Sequence, residues 1–214
     1  DVYVLEGENP GGTYLLLGGT GKLGPVVVEA ISSQVRATIV LTGRDPDRVP
    51  DEHVRSLLDT ARDRGCVVVH RKVDLVEPGA LERLLDQLTT EHGRVDGVFH
   101  LAAHTETGDF PLLADLDTGS ALDLTEAKVV GAAGLYRALH GRDHDFVVLF
   151  SSISTIIGAL RFGAYVSSNA YLDALATEAD GPGGRWISAV WDGWNGGRRG
   201  PDLDRSGSTR CPGR

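Results

Sequence analysis

Short apolar runs alternate with amphipathic stretches along the chain, as in proteins whose parallel strands are joined by crossover helices. The first run, 13–17, is continuously apolar, as expected of a strand buried on both faces of a sheet. Further strands are predicted over 37–42, 66–70, 97–103, 146–150 and 187–191. Helices are predicted over 22–33, 52–64, 81–91, 121–139 and 165–179. This order predicts an α/β fold with a doubly wound parallel sheet of six or more strands and helices on both faces.

The two ends of the chain depart from this pattern. Residues 1–6 alternate enough to form a strand, whereas 196–214 is rich in Gly, Arg, Asp, Pro and Ser without apolar periodicity. We therefore divide the chain into a linking strand over 1–12, one domain over 13–197 and an irregular tail over 198–214. Because the sequence contains no methionine, we interpret it as a piece of a longer polypeptide.

Composition narrows the classes of function. The chain has 214 residues, 41% of them hydrophobic, which suits one well-buried domain. A net charge of −9 and the lack of Lys/Arg runs argue against nucleic acid as a partner. Cys66 and Cys211 lie too far apart for a metal-binding pair, and we expect Cys66 to be a buried core thiol. No membrane span or leader pattern is evident, so a soluble, cytoplasmic protein is expected.

A glycine-rich turn follows the first predicted strand and opens a helix. It reads Gly18-Gly-Thr-Gly-Lys-Leu-Gly24. Glycines let the backbone turn tightly and approach a pyrophosphate, and a helix N-terminus offers N–H groups to it. A purely structural turn is the alternative, but its place between a strand and a helix favours nucleotide binding at a Rossmann-like sheet edge.

The residues after strands two and three bear on which nucleotide binds. Arg44 suits the 2′-phosphate of NADP, whereas the following Asp45 keeps NAD possible. Alternatively, both are surface residues of a turn before Pro46 and bind no cofactor. Asp74 could accept a hydrogen bond from an adenine amine or cap the next helix. We favour NADPH.

A candidate catalytic group follows strand five. Ser152 ends that strand, and Tyr165 and Asn169 are four residues apart, so that they share one face of the next helix. A serine hydroxyl and a tyrosine phenol beside a nicotinamide are the donors that a ketone oxygen needs during reduction. Each residue alone is more often a cap or a packing residue, but the combination points to catalysis.

Gly-Gly-Thr-Gly-x-Leu-Gly, Tyr-x-x-x-Asn and Asn-Ala-Tyr-Leu-Asp-Ala-Leu-Ala resemble the ketoreductase domains of modular polyketide synthases, which are complex short-chain dehydrogenases. The similarity covers about 13–197. It implies NADPH-dependent reduction of a β-ketoacyl thioester presented by an acyl carrier protein. It also implies that a structural N-terminal half and other synthase domains are partners.

The resemblance assigns roles residue by residue. Tyr165 would be the general acid, Ser152 would hydrogen-bond the substrate carbonyl, Lys128 would supply an ammonium beside Tyr165, and Asn169 would orient Lys128 or a water. The expected cofactor contacts are Gly18, Gly19, Thr20, Gly21, Leu23, Gly24, Arg44, Asp74 and Ala102. No metal is expected.

Several positions depart from the family's pattern. Leu17 replaces a threonine that would brace the glycine turn. The markers of the two stereochemical classes, which would fall on 105–107 and on Ile157, are both absent, so the configuration of the product stays open. No lid helix is recognisable after Trp194.

Two alternative functions fit the sequence less well. A catalytically silent, scaffolding ketoreductase fold would be expected to lack the tyrosine or its partners, and all four are retained. A free-standing short-chain dehydrogenase acting on a small alcohol would be expected to carry Tyr-x-x-x-Lys and an initiating methionine.

Overall fold

The computed structural model describes residues 11–44, 52–103, 115–158 and 162–192. Six strands and six helices lie in these ranges, with two helices in succession between the fifth and sixth strands. The strands are β1 (Gly12–Leu17), β2 (Ala37–Gly43), β3 (Val67–Lys72), β4 (Gly97–His100), β5 (Phe146–Ser152) and β6 (Arg185–Trp191). The helices are α1 (Gly24–Ser32), α2 (Glu52–Asp63), α3 (Ala80–His92), α4 (Thr118–Leu139), α5 (Ser154–Ile157) and α6 (Gly163–Ala179).

The strands form one parallel sheet in the order β3-β2-β1-β4-β5-β6. The strand order reverses between β1 and β4, and at such a point the crevice beyond the carboxyl ends of the strands binds ligands in open α/β sheets. The predicted Rossmann-like α/β fold is confirmed.

Alternate side chains of β1 enter two separate cores. Leu15 and Leu17 pack into a cluster with apolar residues of α3, α4 and α6, whereas Leu16 packs into a cluster with those of α1 and α2. All three leucines are fully buried. This is why the run reads as continuously apolar, because a strand covered by helices on both faces has no polar side.

The carboxyl ends of β1, β4 and β5 meet at one edge of the sheet. Leu17 pairs with His100, and His100 pairs with Leu149. The glycine turn therefore leaves β1 at the level where β4 ends, and Ser152 lies three residues beyond that level on β5. Parallel strands thus bring segments far apart in sequence to a single site.

Two predicted boundaries are wrong by three residues, and one short helix was not predicted. The predicted strand 97–103 ends at His100, because β1 ends at Leu17 and, after one bond from Leu101 N to the Leu17 carbonyl, there is no ladder to continue. The helix predicted from residue 121 begins at Thr118, where Asp117 caps it by accepting from Ser120 N. The short helix α5 was not predicted.

Some predictions fall outside the described residues. These include most of the proposed linking strand, the tail over 198–214, Asp45, Cys211 and the positions 105–107. Within the described part of the chain, Cys66 is a free, buried thiol as expected. None of the described helices is both long enough and apolar enough to cross a membrane.

Candidate active site

The glycine turn is packed so tightly that side chains cannot enter it. A Cβ atom on Gly24 would lie 1.7 Å from the Gly19 carbonyl oxygen, so the start of α1 closes directly onto the turn. Gly18 has φ 75°, and a Cβ there would lie 2.7 Å from Cα of Ala102. The sequence therefore requires glycine here on steric grounds, and Ala102 is brought against the turn.

The same turn leaves hydrogen-bond donors unused. In the part of the chain that the structure describes, the backbone N–H groups of Lys22 and Leu23, just before α1, meet no acceptor. They lie at the positive end of the helix dipole. Free donors, a glycine backbone and a helix N-terminus together fit a pyrophosphate, so the residues present suit a dinucleotide.

Thr42 on β2 supplies a hydroxyl to the turn. Its Oγ1 accepts from Gly18 N at 3.3 Å and donates to the Leu16 carbonyl at 3.4 Å. The threonine missing at Leu17 would have braced the same loop, and the fully buried Thr42 braces it from the neighbouring strand. The departure at Leu17 therefore leaves the turn supported.

Arg44 lies exposed immediately after β2, beside the glycine turn. Gly43 packs on Thr20, whose Oγ1 lies only 2.0 Å from where a Cβ of Gly43 would be, so Arg44 begins within reach of that turn. Gly43 also pairs with Lys72 of β3, which adds a second exposed cation at this edge. Sequence reasoning overlooked Lys72, because only the strand register places it there.

Asp74 follows β3 at the same edge and is exposed. Its Oδ1 accepts from Val76 N at 3.2 Å, which orders the turn ahead of α3. The capping position of α3 itself is Gly79. A turn role for Asp74 is therefore visible, and the contact with adenine stays a prediction.

Ser152, at the end of β5, has its oxygen fixed by two donors. Ser154 donates to Ser152 Oγ from its backbone N–H at 3.2 Å and from its own hydroxyl at 3.0 Å. With both acceptor positions of Ser152 occupied, the hydroxyl hydrogen is directed elsewhere and is available to a substrate oxygen. Sequence reasoning missed Ser154, although the Ser-x-Ser spacing across a tight helical turn is the signal that could have revealed it.

Lys128 lies in the interior between α4 and the sheet. It is 4% exposed, and its Nζ donates to the Phe150 carbonyl at 2.6 Å. The same Nζ lies 5.9 Å from the centroid of the Tyr165 ring. Burial lowers the pKa of Lys128 to about 8, and the charge of Asp173 opposes that shift. The buried ammonium is therefore held at the end of β5, near the ring of Tyr165.

Asn169 is fully buried one helical turn beyond Tyr165. Its Nδ2 donates to the Tyr165 carbonyl at 2.8 Å, and its Oδ1 meets no donor among the described residues. Because Asn169 Oδ1 accepts from none of the described residues, a hydrogen bond from Lys128 to that oxygen is not part of this arrangement. The proposed orienting role of Asn169 stays a prediction.

His100 lies close enough to Lys128 to feel its charge, and it was not among the predicted site residues. It is fully buried at the end of β4, and neither ring nitrogen is in hydrogen-bond geometry with a described residue. Burial and then the charge of Lys128 lower its pKa to about 3, against the opposing effect of the backbone groups of His100 and Ala127. The ring is therefore neutral at physiological pH and does not compete with Lys128 for a proton.

An apolar surface borders these polar groups. Ile156 and Ile157 on α5 are 72% and 73% exposed, although both are large aliphatic residues. Trp191, at the end of β6, is 40% exposed, stacks on Phe150 and accepts at its carbonyl from Ile153 N. We call these three exposed residues, Ile156, Ile157 and Trp191, the apolar rim. Its chemistry suits the aliphatic part of a substrate.

The structure thus brings four predicted catalytic residues to one sheet edge. The model of the family described as the KR domain matches residues 12–196. The chain belongs to the ketoreductase (KR) domain family. A reducing polyketide synthase of Cochliobolus heterostrophus is 33% identical over 78% of this chain, and polyketide synthase GfsA of Streptomyces halstedii is 33% identical over 87% of it.

Solved structures agree with the family. The ketoreductase from the first module of phoslactomycin biosynthesis in a Streptomyces species is 34% identical, with a TM-score of 0.78 over 92% of this KR chain and 45% of that protein. The chain spans only 8% and 2% of the two synthases named above. The predicted family is confirmed, and both curated relatives are far longer multidomain proteins.

Proposed function

We propose that this KR domain reduces the β-keto group of an acyl thioester, carried by an acyl carrier protein, to a β-hydroxyl group with NADPH. The observation that carries the proposal is the place of the Lys128 ammonium, which donates to the carbonyl of Phe150, two residues before Ser152, and lies 5.9 Å from the centroid of the Tyr165 ring. NADPH, when bound, supplies the hydride, with both electrons, that reaches the carbonyl carbon.

The chain's own residues handle the charge that develops on oxygen. Ser152 directs its hydroxyl hydrogen to the carbonyl oxygen because Ser154 already fills its acceptor positions. Tyr165 gives its phenolic proton to the same oxygen, which completes the hydroxyl group, and the phenolate that remains is reprotonated from solvent. Lys128 stabilises that phenolate electrostatically from its place 5.9 Å from the ring centroid.

The substrate's carbon chain needs an apolar contact that leaves the thioester arm exposed. We propose that it lies against the apolar rim, since Ile156 and Ile157 follow Ser152 within five residues and expose most of their surface. The thioester arm then extends toward the carrier protein. The rim would thereby select for acyl substrates over small polar ketones.

Arg44 carries the proposed preference for NADPH over NADH. A guanidinium pairs with a 2′-phosphate through charge-assisted hydrogen bonds worth about 1.5–3 kcal/mol. We expect the parent to bind NADPH more tightly than NADH and Arg44→Ala to lose most of that preference, as measured by fluorescence titration of both cofactors. Lys72→Ala serves as the comparison, since Lys72 is the neighbouring cation on β3. Equal affinity of the parent for both cofactors contradicts the proposal.

The proposed reaction is tested by following NADPH oxidation with a β-ketoacyl thioester. The parent should oxidise NADPH, and Tyr165→Phe should bind it with nearly parental affinity but abolish turnover. Tyr136→Phe is the matched control, because Tyr136 is an exposed phenol on α4 that packs on Trp186. A parent that binds NADPH without oxidising it would instead be a scaffolding fold. Parental turnover in Tyr165→Phe would show that another group is the acid.

A further inference from the structure

A third polar residue continues the catalytic face of α6. Tyr165, Asn169 and Asp173 follow one another at intervals of four, so they share one side of the helix. Asp173 is partly buried, and its Oδ1 accepts a short hydrogen bond from the Ser188 hydroxyl of β6. This bond directs the carboxylate toward β6, the strand next to β5 in the sheet.

The sheet register places this carboxylate near the Lys128 ammonium. Ser188 pairs with Leu149 on β5, and Phe150, the next residue, provides the carbonyl that accepts from Lys128 Nζ. Adjacent strands are about 4.8 Å apart and successive residues about 3.3 Å. Ser188, which binds the Asp173 carboxylate, and the Phe150 carbonyl, which binds the Lys128 ammonium, are therefore about one strand spacing and one residue apart.

The ammonium needs such a counter-charge because its surroundings oppose ionisation. Lys128 is 4% exposed, and burial is the largest cause of its lowered pKa. The groups that face it are His100 from β4, which is neutral, and Tyr165 and Asp173 from α6. Among the described residues, Asp173 is the carboxylate whose charge acts to keep Lys128 protonated.

We propose that Asp173, held by Ser188, is a positioning residue that keeps the Lys128 ammonium charged beside Tyr165. The carboxylate contacts neither substrate nor cofactor in this role and acts only through Lys128. The inference rests on the proposed ketoreductase function for its catalytic consequence. Its electrostatic part concerns Lys128 alone and can be measured without turnover.

Because the chain has few lysines, the titration of Lys128 can be measured directly by NMR. The sequence contains only three lysines, Lys22, Lys72 and Lys128. A protein labelled with ¹³C at lysine Cε should give three signals, and Lys128→Met identifies the buried one by its loss. Asp173→Asn removes the charge while keeping the shape and an oxygen for Ser188. We expect the titration midpoint of Lys128 to fall by about 0.5 to 1 on the pH scale, with Lys22 and Lys72 unmoved.

Two further variants control for structural effects. Ser188→Ala keeps the carboxylate charge but removes its anchor, so the Lys128 midpoint should fall less than in Asp173→Asn. Asp173→Glu keeps the charge and should restore a midpoint close to that of the parent. Asp173→Ser is prepared in parallel, because its smaller side chain makes different packing demands if Asp173→Asn fails to fold.

Turnover provides the second readout. If charged Lys128 assists Tyr165, the alkaline fall of kcat in Asp173→Asn should begin at lower pH than in the parent, with similar rates near pH 6. An unchanged Lys128 midpoint in both neutral variants overturns the inference. A shifted midpoint with an unshifted kcat profile overturns its catalytic part. A parent that reduces nothing overturns the proposed function instead, and the lysine titration still decides the role of Asp173.

Discussion

At the scale of single residues, the hydroxyl of Ser152 depends on a neighbour that does not contact the substrate. Ser154 is 8% exposed and gives Ser152 Oγ two of its hydrogen bonds, one from the backbone and one from the side chain. Only the second is lost when the side chain is shortened. The backbone bond remains and still partly orients Ser152.

We therefore predict that Ser154→Ala lowers kcat by about 3- to 10-fold, the equivalent of one ordinary hydrogen bond. Ser152→Ala should cost on the order of a hundredfold, the scale of a lost oxyanion donor. Steady-state kinetics with a β-ketoacyl thioester measure both. Ser167→Ala is the control, since Ser167 is exposed on α6 and bonds only within its helix, to the Gly163 carbonyl. Equal losses in Ser152→Ala and Ser154→Ala would contradict the ranking.

Lys128 gives the protein a pH-dependent stability of predictable sign. Its pKa is lowered to about 8 in the folded protein, against about 10.4 in an unfolded chain. Between these values the unfolded state holds more protons, so the free energy of unfolding rises with pH across this window. The gain reaches about 3 kcal/mol when the window has been crossed.

The measurement compares urea unfolding of the parent and Lys128→Met from pH 7 to pH 10.5. The parent should gain stability relative to the variant as pH rises through 8, because the variant has no buried ammonium to discharge. Well below pH 8, where Lys128 is charged in both the folded and the unfolded state, the difference between the free energies of unfolding of the parent and the variant should not change with pH because of Lys128. Parallel curves over the whole range would show that Lys128 is not titrating in the folded interior.

Some of these site residues could be predicted from the sequence alone and others could not, for reasons that the structure explains. The four-residue spacing of Tyr165 and Asn169 and the place of Ser152 after an apolar run are local signals. Lys128 on α4 looks like an exposed helix lysine, and only the family resemblance singled it out. His100, Lys72 and the anchoring of Asp173 depend on which strands are neighbours, and no local pattern encodes that.

At the scale of elements, the turn between β1 and α1 leaves very little space for side chains. Gly24 begins α1, and a Cβ there would overlap the Gly19 carbonyl oxygen. The backbone must therefore shift to admit any side chain, and that shift would move the free N–H groups of Lys22 and Leu23. A side chain at position 24 should therefore lower both the free energy of unfolding and the affinity for the cofactor.

We predict that Gly24→Ala lowers the free energy of unfolding by about 3 kcal/mol, as in overpacked interiors, and weakens NADPH binding. Gly183→Ala is the matched control, because a Cβ there meets no atom within 4 Å. Urea unfolding and fluorescence titration with NADPH measure the two effects. Parental values of both in Gly24→Ala would show that the turn is more plastic than its packing indicates.

Apolar periodicity located the long elements well and the short ones poorly. The segment Ile153–Gly158 contains isoleucine and threonine, which favour strands, yet it forms the single helical turn of α5, for which the sequence pattern gave no prediction. The turn forms because Ser152 and Ser154 bond across it and Ile153 N is taken by the Trp191 carbonyl. These side-chain and tertiary hydrogen bonds determine the conformation of α5, and they outweigh the intrinsic preference of isoleucine and threonine for strands.

At the scale of the whole molecule, the relatives that share this domain are far larger than this chain. The matched region makes up 8% of the Cochliobolus synthase and 45% of the phoslactomycin ketoreductase structure. In this chain the apolar rim stands open, with Ile156 and Ile157 mostly exposed. We expect other protein segments to cover this face, among them the structural N-terminal half and the carrier protein that the family resemblance implies.

We predict that joining this chain to the segments that flank it in a full synthase raises kcat on carrier-bound substrate by on the order of tenfold or more. NADPH affinity should change little, because the glycine turn and Arg44 lie on the described domain itself. Cofactor titration and steady-state kinetics with a β-ketoacyl carrier protein separate the two constants. The extended protein carrying Tyr165→Phe is the control, since any activity it keeps belongs to an added domain. An unchanged kcat would mean that the residues of this chain already provide all that turnover requires.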